Sequence, residues 1–350
     1  MPLAVWLALA LGLSFPVLTT SWTVATSTAF LTEFLSDGRW HPLSAMTPDV
    51  VVLPLEPAMN GRPVVGDLYL RSSFRRAPGL VLVHGLSPRG KDDPRLRAAA
   101  SLLARAGFAV AVPTVNGLTA LRLRPEDSLA VVAAVSALEH AGRGRVAILG
   151  VSLGAGPALL AATDPRVASS LSSVLALGGY ASAVELLRYT LTGAYRFEAT
   201  AGGRAVDEAA IALFARANAD LVGAAGRRLV DNRDPTAVDR LVADLPDETR
   251  QLLAALSPVR EIARLRAPLF LIHGRSDPAV PFTESLRLAR AARDAGRPVR
   301  AVVVGSLGHV EPEHRAGLGD LARLWATFYA FNVIAGGATA SSLTSAGRAP

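Results

Sequence analysis

Six short apolar runs punctuate the chain: GLVLVHG at 79–85, FAVAVP at 108–113, RVAILG at 145–150, SVLALGG at 173–179, PLFLIHG at 268–274 and VRAVVVG at 299–305. Each is too short for a buried helix and too uniformly apolar for a strand with one wet face, which is the pattern of a strand covered on both sides. Between most of them lie segments with helical spacing, such as PRLRAAASLLARAG at 94–107 and TESLRLARAARDAG at 283–296. Strand and helix in alternation imply right-handed crossovers and a mostly parallel sheet flanked by helices. Two further strands, VVVLPLEP and PVVGDLYLRS, are expected ahead of this series, joined by the turn AMNGR. Gly107 is the expected stop of the first long helix. Residues 181–262 break the rhythm with helical pieces and no clear strand, so they read as a helical cap inserted between the sixth and seventh core strands. The α/β core is then 49–180 together with 263–334.

The ends are different in kind. The first charged side chain is Glu33, and residues 1–35 read as an N-terminal membrane anchor or a secretory signal, with Ser27–Ala29 as a small-residue cleavage site. Either reading places the α/β domain outside the cytoplasm. Residues 36–48 read as a polar linker and 335–350 as a disordered tail. The net charge of +7 invites a nucleic-acid reading, but the only lysine is Lys91 and the arginines are dispersed without interleaved aromatics. No nucleic-acid partner is expected. With no cysteine, disulfides, thiol nucleophiles and cysteine-bound zinc are excluded.

The stretch ILGVSLGAG, 148–156, sets one serine between two glycines at the end of a strand run and the start of a helical one. G-x-S-x-G in that context lifts a serine hydroxyl above the sheet edge, with helix-start N–H groups beside it. A dinucleotide loop fails on its third glycine, and no phosphate-binding G-x-x-x-x-G-K-[ST] occurs. A nucleophilic serine needs a base and an acid in the order Ser, Asp/Glu, His. Asp277 in LIHGRSDPAVP and His309 in VVVGSLGHVEP each follow a strand run, in that order. Singly, the aspartate reads as a turn former and the histidine as a solvated loop residue; jointly, they complete a triad with Ser152. HVEPEH at 309–314 has neither zincin spacing nor a helix to align its ligands, so no metal and no cofactor are expected. His314 is a reserve candidate for the base, and His273 a packed strand-end residue.

These motifs, with HG at 84–85, resemble the α/β-hydrolase superfamily, most closely its dienelactone-hydrolase-like and esterase/lipase-like members, over about residues 50–333. The resemblance implies an oxyanion hole from the backbone N–H groups of Leu86 and Leu153, with His84 bracing the loop. It implies a serine hydrolase acting on a small-molecule ester or related acyl substrate through an acyl-enzyme. An amidase, peptidase or acyltransferase on the same triad is the first rival, and a non-catalytic, membrane-tethered binding module the second. Lys91, Asp92 and Asp93 are expected in a solvated loop leading into a helix N-cap, with polar substrate contacts as the alternative. Pro157, so close behind Ser152, suggests an irregular helix start.

Overall fold

In a computed structural model, described for residues 21–59, 62–72, 77–220, 223–305, 307–309 and 317–337, the apolar runs form one eight-stranded sheet. In chain order the strands are β1 (Val50–Leu55), the two-residue pair β2 (Ala58–Met59) and β3 (Arg62–Pro63), β4 (Gly66–Arg71), β5 (Gly79–Val83), β6 (Ala109–Pro113), β7 (Val146–Val151), β8 (Leu171–Leu177), β9 (Ala194–Phe197), β10 (Thr200–Gly203), β11 (Leu269–Gly274) and β12 (Val299–Val304). The large sheet runs β1-β4-β6-β5-β7-β8-β11-β12. The first two pairings, β1 with β4 and β4 with β6, are antiparallel, and every later one is parallel.

The helices are α1 (21–35), α2 (Pro42–Met46), α3 (Pro94–Arg105), α4 (Asn116–Thr119), α5 (Asp127–His140), α6 (Ala155–Ala162), α7 (Ala183–Thr192), α8 (Glu208–Ala217), α9 (Ala224–Val230), α10 (Val238–Ala243), α11 (Asp247–Ala255), α12 (Thr283–Asp294) and α13 (Leu318–Ala335). Every residue of β5 is buried, because α5, α6 and α12 cover one face of the sheet and α3, α13 and α1 the other. α3 starts on Asp93, whose carboxylate accepts the Arg95 N–H at 3.0 Å, and it ends at Arg105, two residues ahead of Gly107 at φ +117°. That is the physics expected of a capped start and a left-handed stop.

Between β8 and β11, at the expected place, the chain leaves the sheet and builds α7–α11. These helices close on a small core of their own around Leu191, Ile211, Leu229, Val238 and Leu245. Sequence reading found no strand here, yet β9 and β10 pair as a hairpin with Thr200 opposite Phe197 and Gly203 opposite Ala194. AYRF follows the helical run of α7 almost directly and reads as its continuation, and TAGG carries no alternation of apolar and polar side chains.

The N-terminal region also differs from expectation. The stretch 36–48 is not an open linker: it holds α2, whose first N–H groups, of Leu43 and Ser44, donate to the Glu33 carboxylate at 3.0 Å each, and Leu43 is wholly buried. α1, the latter part of the expected anchor or signal, packs on α13. Phe30 stacks on Phe328 with ring centroids 4.4 Å apart, Asn332 Nδ2 donates to Ser27 Oγ at 2.9 Å, and the Trp325 indole donates to Thr28 Oγ1 at 3.0 Å. An apolar, uncharged stretch satisfies a sequence test for membrane insertion and a packing test for a core helix equally well. Among the described residues no helix is long and apolar enough to cross a membrane; residues 1–20, which carry the most apolar part, lie outside them, as does most of the 335–350 tail. Phe30→Ala is expected to cost about 3 kcal/mol in denaturant unfolding, since it removes a buried aromatic and its stacking partner. A midpoint identical to the parent's would mean that α1 is not part of the cooperative unit.

Candidate active site

β7 ends at Val151 and the chain turns at once. Ser152 has φ +55°, a left-handed conformation that a non-glycine residue holds only where its surroundings enforce it. A single 3-10 turn, Ser152–Gly154, separates it from α6, so Pro157 falls in the first turn of that helix, where its missing N–H is tolerated. The turn is tight because two backbones meet there. A Cβ on Gly154 would lie 2.0 Å from the His84 carbonyl oxygen, with the Val83 carbonyl at 2.9 Å. Gly154→Ala is therefore expected to destabilise by about 3 kcal/mol and to shift the 84–86 loop off the serine. Thermal melting checks the first effect and the rate of Ser152 acylation the second.

Two loops converge on Ser152 from β11 and β12. Asp277 follows β11, and its Oδ1 accepts the N–H groups of Ala279 and Val280, both at 2.8 Å. His309 follows β12 through a loop that runs against β11: a Cβ on Gly274 would lie 1.9 Å from the Gly308 carbonyl oxygen. Glycine at 274 thus lets the loop before His309 lie directly on the backbone that leads to Asp277. The result is a chain of hydrogen bonds: His309 Nδ1–H donates to Asp277 Oδ2 at 2.6 Å, and His309 Nε2 accepts from the Ser152 hydroxyl at 2.5 Å. All three residues singled out in the sequence are brought together.

Asp277 is almost fully buried. Burial alone would raise its pKa, but hydrogen bonds from His273 and His309 outweigh it and hold the carboxyl at about 2. His273 is what sequence reading undervalued. It is indeed packed at a strand end, but its Nε2 also faces Asp277 Oδ2 at 3.3 Å while donating to the Val280 carbonyl at 2.9 Å. Its Nδ1 accepts from the Ser285 hydroxyl at 2.7 Å, which fixes that tautomer. The spacing HGxxD, His273 to Asp277, was the available signal. Tyr189, on the cap helix α7, adds a second contact to the loop by donating its hydroxyl to the Asp277 carbonyl at 2.8 Å.

Leu86 and Leu153 line the same cavity as Ser152 and His309. His84 is buried, donates from Nδ1 to its neighbour's carbonyl, Gly85, at 2.7 Å and accepts the Val115 N–H on Nε2 at 3.0 Å. Its burial pushes its pKa down, so it stays neutral and serves as a brace for the loop. Asp93 caps α3 and accepts from Ser87 at 2.9 Å, while Lys91 pairs with Asp67 at 3.2 Å and Asp92 at 3.0 Å. These three side chains are engaged with the protein itself. His314 and most of HVEPEH lie outside the described residues; among the described residues no three His, Asp, Glu or Cys side chains form a group that could hold a metal.

The cavity measures about 1160 Å³ and is roofed by the cap. Among the described residues its cap-side lining, including Leu187, Leu213, Phe214 and Leu252, contains no charged residue.

The Pyrococcus horikoshii acylaminoacyl peptidase is similar in structure (17% identity, TM-score 0.52), the match covering 76% of this chain and 39% of that one. So is a Mycobacterium tuberculosis puromycin-hydrolyzing peptidase (21% identity, TM-score 0.54; 82% and 40%). A third is Porphyromonas gingivalis dipeptidyl peptidase 4 (13% identity, TM-score 0.52; 81% and 35%). This chain thus spans about two fifths of the length of those proteins, and at such identities the likeness is one of fold. A search of curated proteins returned no match. A model of the alpha/beta hydrolase family, however, matches residues 80–320, which takes in β5 through the start of α13 and all of Ser152, Asp277 and His309, and by that match the chain belongs to the α/β-hydrolase family.

Proposed function

We propose that this chain is a serine hydrolase that cleaves carboxylic esters of apolar acyl groups or alcohols. The observation that carries the reading is the Ser152–His309–Asp277 hydrogen-bond chain at the floor of an apolar, cap-roofed cavity. Ser152 Oγ attacks the ester carbonyl while His309 Nε2 takes its proton, and Asp277 stabilises the imidazolium formed. The N–H groups of Leu86 and Leu153 hold the oxyanion, each such donor lowering the barrier by about 3 kcal/mol. His309 then protonates the leaving alcohol, and water, deprotonated by His309, releases the acid from the acyl-enzyme.

A peptide substrate would need hydrogen-bonding partners for its backbone and a site for a charged terminus. The cap side offers neither in quantity: its polar lining is Thr190, Asn218 and Thr249, and Asn218 Nδ2 is already spent on the Phe214 carbonyl. This favours ester over amide, although the structural neighbours named above are peptidases. The test is a paired series of p-nitrophenyl esters and aminoacyl anilides. The expected result is saturable ester turnover with kcat/KM at least a hundredfold above any anilide. The reverse order would transfer the site to peptide or amide hydrolysis. In the same reading the uncharged residues 1–20 tether or export the enzyme, which membrane fractionation and the mature N-terminus would decide.

A further inference from the structure

The cavity extends well beyond the space around the reacting serine. Besides the cap it reaches Phe30 and Phe34 of α1, Ala99 and Leu102 of α3, Leu324 of α13, and Leu149 of the sheet. Leu149 stands three residues before Ser152 on β7, about 10 Å down the strand. This second arm therefore leaves Ser152 in a different direction from the cap, down the sheet face that α1, α3 and α13 cover. The charged groups at its rim are engaged by the protein: Glu33 caps α2, Asp93 caps α3, and Arg105 donates to the Thr47 and Pro48 carbonyls at 2.9 and 3.0 Å. His41 faces Glu33 at 3.4 Å, Arg95 faces Asp93 at 3.6 Å, Ser44 and Ser87 are bonded to the same two carboxylates, and Asp37 is exposed at the outer rim; most of what remains to meet a ligand is hydrocarbon.

We infer that the arm between α1 and α3 takes a long unbranched aliphatic chain of the substrate, so that the substrate class is a lipid ester with its scissile carbonyl at Ser152. This rests on the hydrolase reading above and deepens it. Three observations carry it. The arm is continuous with the serine, so a chain attached to the scissile ester can enter it. Its walls are mainly apolar side chains between packed helices, a slot that suits a flexible hydrocarbon chain. The whole cavity exceeds the roughly 300–1,000 Å³ of ordinary small-ligand pockets, leaving the cap side for the rest of the molecule. α1 is then a wall of the substrate site as well as a packed helix.

The test uses the full chain and alkyl fluorophosphonates from ethyl to hexadecyl, below their aggregation concentrations, which phosphonylate a reactive serine and release fluoride. Labelling does not depend on whether the natural substrate is an ester or an amide. The second-order rate constant at Ser152 is expected to rise about fourfold per methylene at most, and at least a hundredfold between butyl and dodecyl. Ala99→Trp, which fills the arm, should lower the dodecyl-to-butyl ratio at least tenfold, and the milder Ala99→Leu should fall between, covering a failure of the tryptophan variant to fold. A rate independent of chain length, with Ser152 labelled, overturns the inference and leaves the hydrolase reading standing. An Ala99→Leu ratio equal to the parent's overturns the placement in this arm. Length dependence that appears only after deletion of residues 1–20 would assign the arm to the chain's own N-terminal segment. No labelling by any probe would sink the hydrolase reading and the inference together.

Discussion

Ser152→Ala is expected to lower kcat by about 10⁵-fold or more on every substrate the enzyme turns over, with no loss of folding stability. The size follows from the geometry. His309 Nε2 has one reacting partner, the Ser152 hydroxyl at 2.5 Å, and without it neither the imidazole nor Asp277 has a nucleophile to serve. Residues acting as one unit fail as one unit, so His309→Ala should cost nearly as much, and the double variant scarcely more than either alone. Stability should hold because alanine keeps the Cβ and loses only a hydroxyl. It should even rise slightly if the left-handed turn relaxes, although Gly154 and the His84 carbonyl still confine it. Single-turnover hydrolysis and fluorophosphonate labelling check the first part and thermal melting the second. Residual turnover within a hundredfold of the parent would mean that water, activated by another group, does the chemistry.

Why these residues were legible in sequence is a matter of local physics. A nucleophile on a strand-to-helix turn leaves a five-residue imprint, because Gly154 is required by a backbone 2.0 Å from where its side chain would be. Asp277 and His309 leave weaker imprints, but each sits just past a strand whose apolar run is unmistakable, and strand ends are where such a sheet gathers its functional groups. What was not legible depends on contacts between segments far apart in the chain. Phe30 on Phe328 and Asn332 on Ser27 join residues about 300 positions apart, and nothing near residues 21–35 announces them. Glu33 reads as the first charge after an apolar run, whereas in the fold it caps a short helix ten residues on. The β9–β10 hairpin escaped for the opposite reason, since its local pattern is too short to register: AYRF reads as a continuation of the helical run before it, and TAGG has no alternation. His273 was read for its burial and missed for its partner.

Asp277→Asn should lower kcat by about 10⁴-fold while leaving Ser152 in place, as expected when an imidazole loses its orienting carboxylate. The carboxylate accepts from four directions: the Ala279 and Val280 N–H groups on Oδ1, His309 Nδ1–H on Oδ2, and His273 Nε2–H facing the same oxygen. Asparagine can keep the two backbone bonds but must then turn its NH₂ toward the histidines. His273 cannot answer with a lone pair there, because its Nδ1 is already the acceptor for Ser285. His309 can, by moving its proton to Nε2, and that tautomer no longer accepts from Ser152. Activity is lost through the wrong tautomer with the ring still in position. The same contacts give a signature in acid. The folded pKa of Asp277 is about 2 against roughly 3.9 in an unfolded chain, so the carboxylate contributes roughly 2–3 kcal/mol of stability. Because the pKa is depressed on folding, that contribution is complete above about pH 5 and is lost as pH falls through the folded value. The stability gap between parent and Asp277→Asn, measured by denaturant unfolding, should therefore be widest near neutrality and shrink toward pH 2. A gap that does not change with pH would mean that the variant is destabilised by packing alone, and that the carboxylate's charge is not what its neighbours recognise.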